Sequence, residues 1–248
     1  MNITFDFTNR VLLLTGANGG IGREIARLFA KSGAHLVLGD RDAAGLASFA
    51  ETLEGPGRRV ICAHDATNPE SNEALVAAAV EAFGGVDYVV PAAAVFAMEF
   101  FPSMTDAQWH RMISINLDGL YYLMSRVQKH LNEGSAVVMV SSMAGHRGSA
   151  VSAHYAASKG ATSAFTRALA QELAPRTRVN AVAPGVIETP MVRELIADRG
   201  ERNVAATPLK RNGQPQEIAA VIAFLCSDGA SFINGEICHA NGGSFIGG

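Results

Sequence analysis

Apolar residues in this chain gather into short unbroken runs, not alternating ones. Val11-Leu12-Leu13-Leu14 comes first, and Leu36-Val37-Leu38-Gly39, Val60-Ile61-Cys62-Ala63 and Tyr88-Val89-Val90 follow. Ala136-Val137-Val138-Met139-Val140, Val179-Asn180-Ala181-Val182 and Ile237-Cys238-His239-Ala240 complete the set. Runs without a polar face are what parallel strands buried on both sides require. Between them the period changes to that of a helix. Ile21, Ile25, Leu28 and Phe29 share a face before Ser32-Gly33, and Ala43, Leu46, Ala47, Ala50 and Leu53 share one before Gly55-Pro56-Gly57. Asn68-Pro69 opens a third helix that Gly84-Gly85 stops. Thr105-x-x-Gln108 is a capping box, and its helix is predicted to run to about His130 with Asn116 at mid-span as a hydrogen-bonded core residue or a local bend. Residues 153–174 are predicted to be helical up to Pro175, and Pro215 to Cys226 forms the last helix. Pro184-Gly185 ends the sixth run. Residues 186–213 then lack strand character and hold only a short apolar helix (Met191, Val192, Leu195, Ile196), the pattern of a lid. The alternation predicts one α/β domain over residues 1–248: a Rossmann-like, doubly wound, mostly parallel seven-stranded sheet with helices on both faces.

Composition narrows the function. With 248 residues and 48% apolar content the chain can bury a large core. A net charge of −3 with no basic run argues against nucleic acid as a partner. Met1 to Asp6 has no basic start or long apolar stretch, so no leader is expected, and no run is long enough for a membrane span. Cys62, Cys226 and Cys238 are odd in number and far apart, which predicts free thiols in a reducing cytoplasm. The His residues show no metal-ligand spacing, so no metal is expected.

Chemistry enters at the ends of the runs. Strand, glycine turn (Thr15-Gly16-Ala17-Asn18-Gly19-Gly20-Ile21-Gly22), helix, strand and Asp40 is the order of a dinucleotide-binding unit. Glycines let the backbone approach a pyrophosphate, which the helix N-terminus then holds. Asp40 can accept hydrogen bonds from both ribose hydroxyls and would repel a 2′-phosphate. Gly16, Asp40, Asp65, Ala92, Ser142 and Pro184 all fall at carboxyl ends of predicted strands, where such sheets bind ligands. Tyr155 and Lys159 lie one turn apart on a predicted helix, so an ammonium beside a phenol is expected to draw the phenol towards the working pH. Alone, that pair reads far more readily as a core tyrosine and a snorkelling lysine.

Taken together, these residues resemble the short-chain dehydrogenase/reductase family over essentially the whole chain. Thr15, Gly16, Gly20 and Gly22 match its T-G-x-x-x-G-x-G motif, and Asn116, Ser142, Tyr155 and Lys159 match its catalytic tetrad. Pro184-Gly185 matches its P-G motif and Thr189 the residue that holds the nicotinamide carboxamide. Pro91-Ala92-Ala93-Ala94 departs from the usual N-N-A-G, and Asn241 replaces a frequent Asp. The resemblance implies an NAD(H)-dependent oxidoreductase acting on a secondary alcohol or ketone, with Tyr155 as acid/base. Ser142 would polarise the carbonyl, Lys159 would grip the nicotinamide ribose, and Asn116 would orient a relay water. It also implies cofactor contacts from Gly16, Asn18, Gly20, Ile21, Gly22, Asp40, Arg41, Asp65, Ala66 and Ala92, and from Tyr155, Lys159, Pro184, Gly185, Val186, Ile187 and Thr189. A homotetramer pairing helices 105–130 and 153–174 is implied as well. A mostly apolar substrate pocket is expected from Val95, Phe96, Met143, Val151, Val186, Met191, Leu195 and Ile196, with His146 and Arg147 as polar exceptions. The competing readings are a lyase or epimerase on the same fold, which usually carries a further C-terminal domain, and a catalytically silent dinucleotide-binding regulator.

Overall fold

A computed structural model describes residues 4–247; residues 1–3, part of the stretch read for a leader, lie outside the described residues. The strands are β1 (Val11–Thr15), β2 (His35–Asp40), β3 (Arg59–Ala63), β4 (Val86–Pro91), β5 (Leu131–Val140), β6 (Thr177–Pro184) and β7 (Ile237–Ala240). They form one sheet in the order β3-β2-β1-β4-β5-β6-β7, and every pairing is parallel. The helices are α1 (Gly20–Lys31), α2 (Ala43–Glu51), α3 (Pro69–Phe83), α4 (Asp106–Ile113), α5 (Gly119–Val127), α6 (Ala144–Arg147), α7 (Ala153–Glu172), α8 (Arg193–Ala206) and α9 (Pro215–Cys226). Among the described residues no helix is long and apolar enough to cross a membrane.

Strand side chains alternate between faces, and here both faces are covered. Leu12, Leu14, Leu36 and Leu38 pack under α1, α2 and α9, whereas Leu13, Val37, Val89 and Val137 pack under α3, α5 and α7. That is why the runs show no polar alternation. Strand order reverses between β1 and β4, which opens a crevice at their carboxyl ends.

Two elements differ from expectation. The helix predicted from 105 to 130 is α4 and α5 joined by a π-turn, Ser114–Asp118. Asn116 causes the break to be useful: its Oδ1 accepts from the Val95 backbone N at 2.9 Å, and its Nδ2 donates to the Val95 carbonyl at 3.0 Å. A π-turn of this kind often marks a functional position. The segment 186–213 is also more ordered than a lid with a short helix. A 3₁₀ turn, Pro190–Val192, leads into the 14 residues of α8, none of them buried.

Candidate active site

The glycine turn is built by steric necessity. Gly16 sits at φ +64°, and a Cβ there would lie 2.8 Å from the Ala92 carbonyl. A Cβ on Gly22 would lie 2.1 Å from the Gly16 oxygen. The helix α1 begins with neither a side-chain cap nor an acidic residue in its first turn. Its first N–H groups and positive dipole end therefore suit an anion. The Pro91-Ala94 loop keeps its place without asparagines, because Ala93 N donates to Thr15 Oγ1 and Asn116 holds Val95. These features fit a bound dinucleotide.

Asp40, at the end of β2, is fixed by the turn. Its Oδ2 accepts from Asn18 N at 2.9 Å and its Oδ1 from Asp42 N at 3.0 Å. Asn18 Nδ2 donates to Asp42 Oδ2 at 2.9 Å, and Arg23 Nη2 donates to Asn18 Oδ1 at 2.7 Å. Arg23, in the first turn of α1, is a positioning cation that the sequence pattern did not single out. Arg41 is exposed. The Thr67 hydroxyl and N–H hold the Asp65 carboxyl below its usual range, and the Arg41 charge lowers it further.

Ser142 follows β5, and Tyr155 and Lys159 stand on α7. Ser141 Oγ donates to the Lys159 carbonyl at 2.9 Å, tying the end of β5 to α7. Ser142 Oγ accepts from Ala144 N at 3.2 Å, which leaves its hydroxyl proton free to donate elsewhere. Lys159 is 4% exposed, and its Nζ donates to the Val140 carbonyl at 2.8 Å. Burial pulls the Lys159 ammonium down to about 8. Tyr155 responds against expectation: burial pushes its phenol up, opposed by a hydrogen bond with Ser142. The reason is geometric. Lys159 Nζ lies 5.8 Å from the Tyr155 ring centroid and spends a donor on Val140, so it contributes less to the phenolate than a one-turn spacing suggested.

A cavity of about 250 Å³ joins these parts. Gly16, Asn18, Gly20, Ile21, Gly22, Ala92, Ser142, Tyr155, Lys159, Pro184, Gly185, Ile187 and Thr189 line it, as do Ala94, Pro190, Met191 and Val192. Asn116 and Ala66 line instead a water-sized space of about 10 Å³, which Lys159 also reaches. Asp40, Arg41 and Asp65 sit outside the cavity wall, and Val186 faces a separate space of about 210 Å³ with Ile218 and Val221.

The expected substrate wall is largely redrawn, since Met191 alone of that set lines the cavity. Met143 is buried, with its N–H on the Pro184 carbonyl. His146 turns away to Ser163 Oγ at 3.2 Å and packs on His239 and Phe245. Arg147 is exposed and reaches the Ser244 carbonyl at 3.4 Å. Val151 has a left-handed φ of 62°, and Leu195 and Ile196 ride half-buried on α8. Val95 is held by Asn116, and the Phe96 ring meets Tyr155 edge-on at 5.0 Å. The loop after β4 and the segment after β6 reach the cavity through Ala92, Ala94 and residues 187–192, whereas no residue between Ser142 and Tyr155 lines it.

Comparison with known proteins agrees with this geometry. A family profile described as enoyl-(acyl carrier protein) reductase matches residues 16–244. The 3-oxoacyl-(acyl-carrier-protein) reductase FabG of Vibrio cholerae is 36% identical over 240 residues, 96% of this chain and 98% of the relative. The L-rhamnose 1-dehydrogenase (NAD(P)(+)) of Azotobacter vinelandii is 35% identical over 249 residues, 96% and 97% of the two chains. A crystal structure of a short-chain dehydrogenase/reductase, described as glucose/ribitol dehydrogenase, from Brucella melitensis superposes with a TM-score of 0.97 at 53% identity, covering 99% of this chain and all of that one.

Proposed function

The chain belongs to the short-chain dehydrogenase/reductase family of oxidoreductases, and from that premise we propose that it moves a hydride between NAD(H) and a secondary alcohol or ketone. One observation carries the reading: a single cavity has the glycine turn at one end and Ser142, Tyr155 and Lys159 at the other. The turn and the first N–H groups of α1 would hold the pyrophosphate, Asp40 the adenosine ribose, Lys159 the nicotinamide ribose and Thr189 the carboxamide. When bound there, the nicotinamide supplies or accepts the hydride. In reduction Tyr155 gives its proton to the carbonyl oxygen while the Ser142 hydroxyl donates to the same atom. Lys159 returns a proton to Tyr155, and the water-sized space it shares with Asn116 connects onward. Oxidation of an alcohol runs the same transfers backwards.

NAD(H) is favoured over NADP(H) because a 2′-phosphate would meet the Asp40 carboxylate, which the glycine turn fixes through Asn18 N. Asp40→Ser is expected to narrow the ratio of NADH to NADPH efficiency at least about tenfold, roughly 1.4 kcal/mol. Equal efficiency of the two cofactors with the wild-type protein would overturn the assignment.

The wall of Ala94, Pro190, Met191 and Val192 offers no charge. It rewards apolar bulk at about 25 cal/mol per Å², which suits a ketone with an apolar flank better than a sugar. Following cofactor absorbance with a neutral apolar ketone, its carboxylate analogue and a polyol tests the function itself. The apolar ketone should be turned over best. Arg147→Ala should change no efficiency by more than about twofold, and a carboxylate preference that vanishes in that variant would reverse the substrate reading. Three free cysteines and the family resemblance support a cytoplasmic homotetramer. Exposed Trp109 and Tyr121 on α4 and α5, with exposed Ala157 and Ala164 on α7, supply faces for it, and light scattering measures it.

A further inference from the structure

Beside Tyr155 lies a histidine–glutamate contact for which the proposed chemistry has no use. His154 is 0% exposed, and its Nε2 is 2.6 Å from Glu99 Oε2, whose side chain is 20% exposed. Among the described residues neither His154 nitrogen nor Glu99 Oε2 has an aligned hydrogen-bond partner, so this one contact holds both groups. With the imidazole fully buried and Glu99 Oε2 turned in against it, this contact ties the two segments together.

The surroundings show what the contact fastens. Glu99 N donates to the Val151 carbonyl at 2.6 Å, and Glu99 forms an isolated parallel bridge with Ser152. Val151 adopts φ 62°, a conformation that a β-branched residue holds only under constraint from its neighbours. Four residues earlier, Asn116 grips both backbone groups of Val95. Residues 95–99 are thus a strap with two anchors, one on the π-turn and one at the start of α7. Between the anchors, the Phe96 ring stands perpendicular to Tyr155 at 5.0 Å.

We propose that Glu99 and His154 are positioning residues: they clamp the 95–99 strap so that Phe96 braces Tyr155. This rests on the oxidoreductase reading given above. Neither residue lines the cavity that holds the glycine turn. Tyr155, which Phe96 meets, stands at the opposite end of that cavity, so loosening the clamp disturbs proton transfer more than cofactor binding.

The test uses the full chain with Glu99→Ala, Glu99→Gln and His154→Phe. Three quantities are read: NADH affinity by fluorescence titration, kcat and KM for a neutral apolar ketone, and amide hydrogen exchange over residues 95–104. Glu99→Ala and His154→Phe should lower kcat about tenfold, with KM within about threefold and NADH affinity unchanged. Exchange over 95–104 should accelerate in both. Glu99→Gln keeps an acceptor oxygen for the imidazole and should restore both readouts, which a bulk-packing role would not require. Unchanged kcat in Glu99→Ala, unchanged exchange in the strap, or no rescue by Glu99→Gln would overturn the clamp. A wild-type protein that binds NADH but turns over no alcohol or ketone would sink the proposed function instead, and the exchange comparison would then decide whether the clamp exists.

Discussion

Tyr155→Phe is expected to lower turnover by about 10²–10⁴ and to leave dinucleotide affinity nearly unchanged. The substitution removes one oxygen, from a side chain that burial already keeps in its protonated form. Phe keeps the ring that Phe96 packs against, so the strap and the cavity wall should persist. Only the proton donor is lost, and Ser142 cannot replace it, because a serine hydroxyl in this position can polarise the carbonyl but is far too weak an acid to protonate it. Steady-state kinetics with the apolar ketone, set beside an NADH titration, measures the two effects separately. Retention of more than about a tenth of wild-type turnover would remove Tyr155 from the acid/base role.

Lys159→Met should damage both turnover and cofactor affinity, the former by about 10²-fold or more. Methionine fills most of the volume of the buried lysine stem, so a fall in activity would not simply report a cavity. What disappears is the ammonium, which donates to the Val140 carbonyl and faces both the large cavity and the water-sized space beside Asn116. The charge also sets a pH dependence. Burial has drawn this ammonium down from its ordinary value to about 8, so it is charged below that pH and progressively neutral above it. Ketone reduction needs the charged form to return a proton to Tyr155. Its efficiency should therefore fall as pH rises through about 8, and that limb should be absent in Lys159→Met. An identical pH profile in the two proteins would show that Lys159 carries no such proton.

The unbroken apolar runs and the glycine turns were enough to define a doubly wound parallel sheet, since no other packing covers both faces of strands such as Val11–Thr15. The crevice followed from the same pattern. Gly16, Ser142 and Pro184 fall at strand ends, and strand ends are where the chain must turn. Spacing along a single element was likewise legible: Tyr155 and Lys159 share α7, and Thr105 and Gln108 form the capping box that starts α4.

What the sequence left open depends on contacts between distant segments. Asn116 could be a core residue or a bend, and it is both, because Val95 is brought to it from the end of β4. His146 and Arg147 were as free to face the site as to avoid it until the segment after β7 offered them Phe245 and Ser244. The direction of the Tyr155 shift was also out of reach. It depends on how much protein surrounds the phenol and on whether Lys159 points at the oxygen or at Val140. A spacing of four residues puts two side chains on one face of a helix, but the energy between their charged ends is set by a few ångströms and by burial, and packing alone decides those.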